Sequence, residues 1–177
     1  MHRLFVAIEP PPDIKAMLLA AMGGVAGARW QDEAQLHLTL RFIGEVGRDQ
    51  ANDIAMALAS LHHPAFDVAI SGVGTFDTRG QVHTLWAGAT PQDALTTLHK
   101  KVNRTLQKVG IPPDPRAYAP HITLARLNRS TGPLDGFLTQ HAGLTTPMFR
   151  VENICLYESQ LTGDGAVYEI VERVRLG

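Results

Sequence analysis

A chain of 177 residues is long enough to bury a core, either as one domain or as two small lobes that share one, and 45% hydrophobic with 19% charged residues is the balance of a soluble globular protein. A formal net charge of -1 excludes a broad basic coat for nucleic acid but leaves room for a small pocket that grips one phosphate. The single cysteine, Cys155, excludes an internal disulfide, and its setting in Ile154-Cys155-Leu156 marks it as a buried small hydrophobe.

From Met1 to Glu9 one arginine precedes the apolar run Leu4 to Ile8, which is too short for a signal segment or a membrane span, so a reducing cytoplasm is expected. That run predicts a strand, stopped by Pro10, Pro11 and Pro12, and a helix follows over 13–22 until Gly23-Gly24 breaks it. Leu36 to Ile43 predicts a second strand ending at Gly44, then an Ala-rich helix over 48–61. Strands are expected over 66–72 and 82–89, with Thr78-Arg79-Gly80 as a turn between them. The next helix spans 91–109 with Pro91 at its start, because Leu95, Leu98, Val102, Leu106 and Val109 recur every three or four residues. Residues 110–120, with four prolines, form a loop. A strand over 121–127 follows, then a loop over 129–133 and a short helix over 134–141. The chain closes with two strands over 149–158 and 166–175 joined at Gly163-Asp164-Gly165. No linker divides the chain, so residues 1–177 are expected to form a single bilobal domain.

One feature stands apart from this alternation. His37-Leu38-Thr39-Leu40 recurs as His121-Ile122-Thr123-Leu124, 84 residues later (121 minus 37), about half the chain. On a strand, residues i and i+2 share a face, so His37 lies with Thr39 and His121 with Thr123, while Leu38, Leu40, Ile122 and Leu124 face a core. A lone His-x-Thr is usually a solvated face, but an ordinary surface has no reason to repeat the pair. Two equivalent polar faces suggest one cleft between two related lobes. Two imidazoles suit a reaction that removes one proton and delivers another, since both protonation states of histidine are accessible near its unperturbed pKa of about 6.5. In-line displacement at phosphorus needs its acid and base on opposite walls, and threonine hydroxyls can donate to the non-bridging oxygens. A cyclic phosphodiester fits this set without a metal.

The residues that carry this chemistry also carry a resemblance. Arg3-Leu4-Phe5-Val6-Ala7-Ile8, Leu36 to Gly44, Leu85-Trp86-Ala87-Gly88, Pro120 to Arg126 and Leu156-Tyr157-Glu158-Ser159 together resemble the two-histidine phosphoesterases, and within them the RNA 2',3'-cyclic phosphodiesterases once called 2'-5' RNA ligases. The resemblance implies an α+β fold of two pseudo-symmetric lobes, antiparallel sheet with helices packed outside, enclosing a central cleft. It implies His37 as proton donor to a departing 3' oxygen and His121 as the base that activates water. Thr39, Thr123 and Arg126 would bind phosphate, with no metal or other cofactor. The implied partners are RNA ends or nucleotides with a 2',3'-cyclic phosphate, met by a monomer without a membrane. A binding module using the same residues without turnover, and 2'-5' ligation as the reverse reaction, remain open alternatives.

Two arginines test the strand geometry. Strict alternation sets Arg126 on the Ile122 and Leu124 face, so it reaches the cleft only where the strand bends or ends near Ala125, whereas Arg41 lies on the His37 face by parity and meets substrate or solvent. His2, His62, His63, His83, His99 and His141 lack the repeated context and read as surface or loop residues. Adjacent His62-His63 has no cysteine or acidic partner at ligand spacing. Phe5, Trp30, Phe76 and Trp86 either stack on a base or pack in the core, and packing is the preferred reading. Tyr157 and Ser159 share a strand face with no assigned role.

Overall fold

The structure, a computed structural model, describes residues 1–177. The opening apolar run forms β1 (His2–Ile8), and Pro12 begins α1 (Pro12–Ala21), where a missing N–H costs nothing. Then come β2 (Arg29–Trp30), a 3-10 turn (Glu33–Gln35), β3 (Leu38–Val46), α2 (Arg48–Ala59), β4 (Phe66–Thr78) and β5 (Gln81–Thr90). The second half holds α3 (Gln92–Gln107), β6 (His121–Arg126), α4 (Asp135–Gln140), β7 (Phe149–Val151), β8 (Asn153–Thr162) and β9 (Gly165–Arg175). Every strand pairing is antiparallel. The order across the sheet is β7-β4-β5-β6-β3-β1-β8-β9, with β2 beside β6.

The sheet is two half-sheets sewn together at one point. Between β3 and β6 a single residue pair, Leu38 with Ile122, makes the connection, and beyond it the strands diverge, with β2 occupying the free side of β6. Only Glu152 separates β7, in one half, from β8, in the other, so the sheet curls strongly without closing. The expected single strand over 149–158 is therefore two: its apolar run hides a change of partner, from β4 to β1 and β9. Two further strands outrun expectation. β3 continues past Gly44, whose φ of 91° takes up a register shift against β1. β4 runs to Thr78 because it pairs with β5 up to a two-residue turn, Arg79-Gly80, with φ of 52° and 78°.

One cluster of 34 buried apolar residues runs through both halves, joining Leu38, Leu40, Ile122 and Leu124 to Ile54 and Leu58 of α2 and to Leu95, Leu98, Val102 and Leu106 of α3. Both helices thus cover the leucine face of the motif strands. Neither helix covers the histidine face. Cys155 is buried there in a smaller cluster with Phe5, Ala7 and Tyr157. No helix is long and apolar enough to cross a membrane.

Candidate active site

The single pair that joins the half-sheets is also what brings the two motifs together. Leu38 and Ile122 are equivalent residues of the repeated tetrapeptide, so their pairing is self-complementary. Continued one residue to either side, an antiparallel register sets His37 across from Thr123 and Thr39 across from His121. A capping box over Asp32 and Gln35 closes the turn that delivers His37, and Tyr118-Ala119-Pro120 delivers His121.

The repeat extends to a defect in the strands. Along β3, Ala7 pairs with Thr39 but Val6 with Arg41, leaving Leu40 as an extra residue; along β6, Trp86 pairs with Thr123 but Leu85 with Ala125, leaving Leu124. Each motif thus ends in a β-bulge, which reverses the parity of everything after it. Leu124 and Ala125 are both buried, and Arg126 emerges on the histidine face, where its charge acts on His37, His121 and Tyr168. Its guanidinium donates to Thr84 Oγ1 at 3.2 Å.

The same reversal corrects the reading of Arg41. It leaves the His37 face and is buried at 7% exposure, donating to Asn103 Oδ1 at 2.7 Å, to Phe42 O at 2.9 Å and to the Pro112 carbonyl. Phe42 takes its place on the cleft side, 5.5 Å from Phe5 between ring centroids. Five residues after each histidine, then, one half presents Phe42 and the other Arg126.

Both histidines sit among aromatic rings. His37 lies 4.8 Å from Phe5 and meets Tyr168 edge-on at 5.2 Å, while Phe76 meets His121 edge-on at 4.8 Å and Trp86 lies 6.4 Å away. Trp86 lies over Gly74, where a Cβ would run into the indole. Phe76, Trp86, Gly88, Ala119, Pro120 and His121 line a pocket of about 240 Å3. Phe76 is therefore a wall of the cleft and Phe5 a buried ring packed beneath His37, whereas Trp30 packs on Phe137 on the far side of the sheet.

Desolvation dominates the electrostatics. It lowers His37 to about 4, with Arg126, His121 and Lys15 adding to the effect and the Gln35 carbonyl opposing it. His121 is lowered too, first by burial and then by Arg126, against the Ala119 carbonyl. The carbonyls belong to equivalent residues, two before each histidine, but they engage differently. His121 Nδ1 donates to Ala119 O at 2.6 Å, while His37 Nδ1 is buried without a hydrogen bond of ordinary geometry, although the Gln35 carbonyl still favours its protonated form.

Three participants escaped the sequence reading. Tyr168 of β9 touches His37 and feels both Arg126 and Arg3; an exposed hairpin with no motif gave no signal for it. Thr84 anchors Arg126. His99, expected at the surface, is buried on α3, stacked on Tyr118 at 4.1 Å and bonded through Nδ1 to Leu40 O, because its helix face turns toward the bulge of β3. Tyr118 in turn donates to Thr39 O at 3.1 Å, tying the loop before one motif to the backbone of the other. Tyr157 stacks on Phe5 and donates to Glu9. No three His, Cys, Asp or Glu side chains are grouped so as to hold a metal ion.

This fold and this doubled site define the class: the chain belongs to the 2'-5' RNA ligase superfamily, whose profile it matches over residues 5–163. Among curated proteins it is 28% identical to the RNA 2',3'-cyclic phosphodiesterase of Archaeoglobus fulgidus, over 94% of this chain and 96% of that protein. It is 32% identical to the protein of that name from Thermus thermophilus, over 98% of this chain and 90% of the other. Among solved structures, TT0787 of Thermus thermophilus superposes with a TM-score of 0.79 at 26% identity, covering 98% of this chain and 97% of that one.

Proposed function

We propose that the chain is an RNA 2',3'-cyclic phosphodiesterase that opens a terminal cyclic phosphate to a 2'-phosphate. His121 takes a proton from water as its oxygen attacks phosphorus; the bond to the 3' oxygen breaks, and His37 protonates that oxygen. Thr39, Thr123 and Arg126 hold the non-bridging oxygens. The observation that carries this reading is the meeting of two histidines at Leu38 and Ile122 with one arginine whose charge reaches both. The difference at Nδ1 supports the division of labour. With Nδ1–H committed to Ala119 O, neutral His121 offers Nε2 as a lone pair, the state a base requires, whereas the Gln35 carbonyl is the influence that favours a proton on His37. The proposed partners are RNA ends, met by a monomer in the cytoplasm.

Incubation with a nucleoside 2',3'-cyclic phosphate in excess chelator tests this directly. Turnover to the 2'-phosphate is expected; no turnover would leave a binding module, and a 3'-phosphate product would exchange the roles of the histidines.

The pH dependence carries a sign. Activity needs one protonated and one neutral imidazole, and in the free protein His37 titrates near 4 and His121 below the ordinary histidine value. The bell in kcat/KM is therefore displaced to the acid side of neutrality. A bound phosphate anion favours both imidazolium forms, so the bell in kcat lies at higher pH. Parallel profiles of kcat and kcat/KM check this, and coincident bells would contradict it.

A further inference from the structure

β2 is only two residues long, and its pairing sets Arg29 directly opposite Arg126 and Trp30 opposite Ala125. Cross-strand partners share a face. Trp30 and Ala125 go to the core, so Arg29 projects with Arg126 on the histidine side, at the end of the cleft where β3 and β6 have parted. Like charges directly opposite each other destabilise a sheet. No carboxylate lies within ion-pair distance of either guanidinium. The three ion pairs are His2 with Glu158, Arg116 with Asp114 and Arg150 with Asp67, and the nearest carboxylate in sequence, Asp32, accepts from the Gln35 backbone. Arg29 is exposed and makes no side-chain hydrogen bond, yet it is not at large: the tip of the β8–β9 hairpin leans on it, so that a Cβ on Gly165 would lie 3.4 Å from its guanidinium. An arginine held beside a second arginine, without a carboxylate, suits an anion with more than one charged centre.

We propose that Arg29 forms a second phosphate subsite next to Arg126, taking the phosphodiester immediately upstream of the terminal cyclic phosphate. The site then favours the end of an RNA strand over a free mononucleotide. This rests on the cyclic phosphodiesterase reading, which supplies the terminal phosphate at Arg126. A mononucleotide fills one subsite; an RNA end fills both.

The test compares a nucleoside 2',3'-cyclic phosphate with a dinucleotide ending in the same cyclic phosphate, for the wild type and for Arg29→Gln. The wild type is expected to prefer the dinucleotide, and Arg29→Gln to lower that preference, the ratio of the two kcat/KM values, by about tenfold. An equal loss on both substrates would place Arg29 on the terminal phosphate with Arg126 and overturn the second subsite; so would an unchanged ratio. Should the wild type turn over neither substrate, the catalytic reading fails, and a binding measurement still decides on Arg29. Anisotropy of a labelled oligoribonucleotide ending in a 2'-phosphate, across a salt series, is expected to lose roughly 0.7 in log–log slope in Arg29→Gln, the share of one phosphate contact on a single strand. An unaltered slope would overturn the proposal. Circular dichroism of the variant confirms that an exposed side chain was replaced without loss of fold.

Discussion

His37→Ala and His121→Ala are each expected to lower kcat by at least about two orders of magnitude, the usual share of a general acid or base. The effects should not add. Acid and base act in one transition state, so the double variant is expected to be little worse than either single one. The fold tolerates these changes better than it would tolerate loss of Leu38 or Ile122, because both imidazoles are only partly buried, on the face that the helices leave open. Turnover of the cyclic substrate by the three variants, with thermal melts to confirm folding, checks the expectation. A single variant that retains near-wild-type kcat would end the paired acid and base scheme.

Arg126 carries the next largest effect. Delivered by its bulge to both histidines and steadied by Thr84, it presents a planar fork that a lysine lacks. Arg126→Lys is therefore expected to lose nearly as much kcat/KM as Arg126→Ala, about a hundredfold if the pair with phosphate is bidentate. Thr39→Val and Thr123→Val should cost less, since each removes one neutral hydroxyl donor and keeps the β-branched shape. Kinetics on the four variants rank these contributions. Full recovery by lysine would mean that Arg126 acts as a point charge, and full activity in Arg126→Ala would remove it from the site. Arg41 is not its substitute, being buried on the far face.

What was legible in the sequence is what periodicity and repetition encode. The motif strands, the apolar stripe of α3 and the shared face of His37 with Thr39 follow from spacing alone. The bulges do not, because one extra residue changes every later orientation without changing composition, and nothing in Leu40-Arg41 or Leu124-Ala125 announces it. This is why Arg41 is legible as an arginine near the site but not as a buried one. The break at Glu152 is hidden for a related reason: a strand's alternation says which face is buried, not which neighbour it pairs with. Tyr168 and Arg29 are invisible for want of any local pattern, since only long-range pairing brings β9 and β2 to the cleft.

The matched bulges bear on how a ligand can lie. A cleft built from two equivalent motifs about a local twofold axis would accept the same molecule in two orientations, related by half a turn, each setting a histidine on either side of the phosphorus. Phe42 and Arg126 occupy corresponding positions about that axis, one apolar and one cationic. That inequality, together with the unequal partners of the two Nδ1 atoms, would lift the degeneracy, giving a bound strand one polarity in the groove and each imidazole the same oxygen.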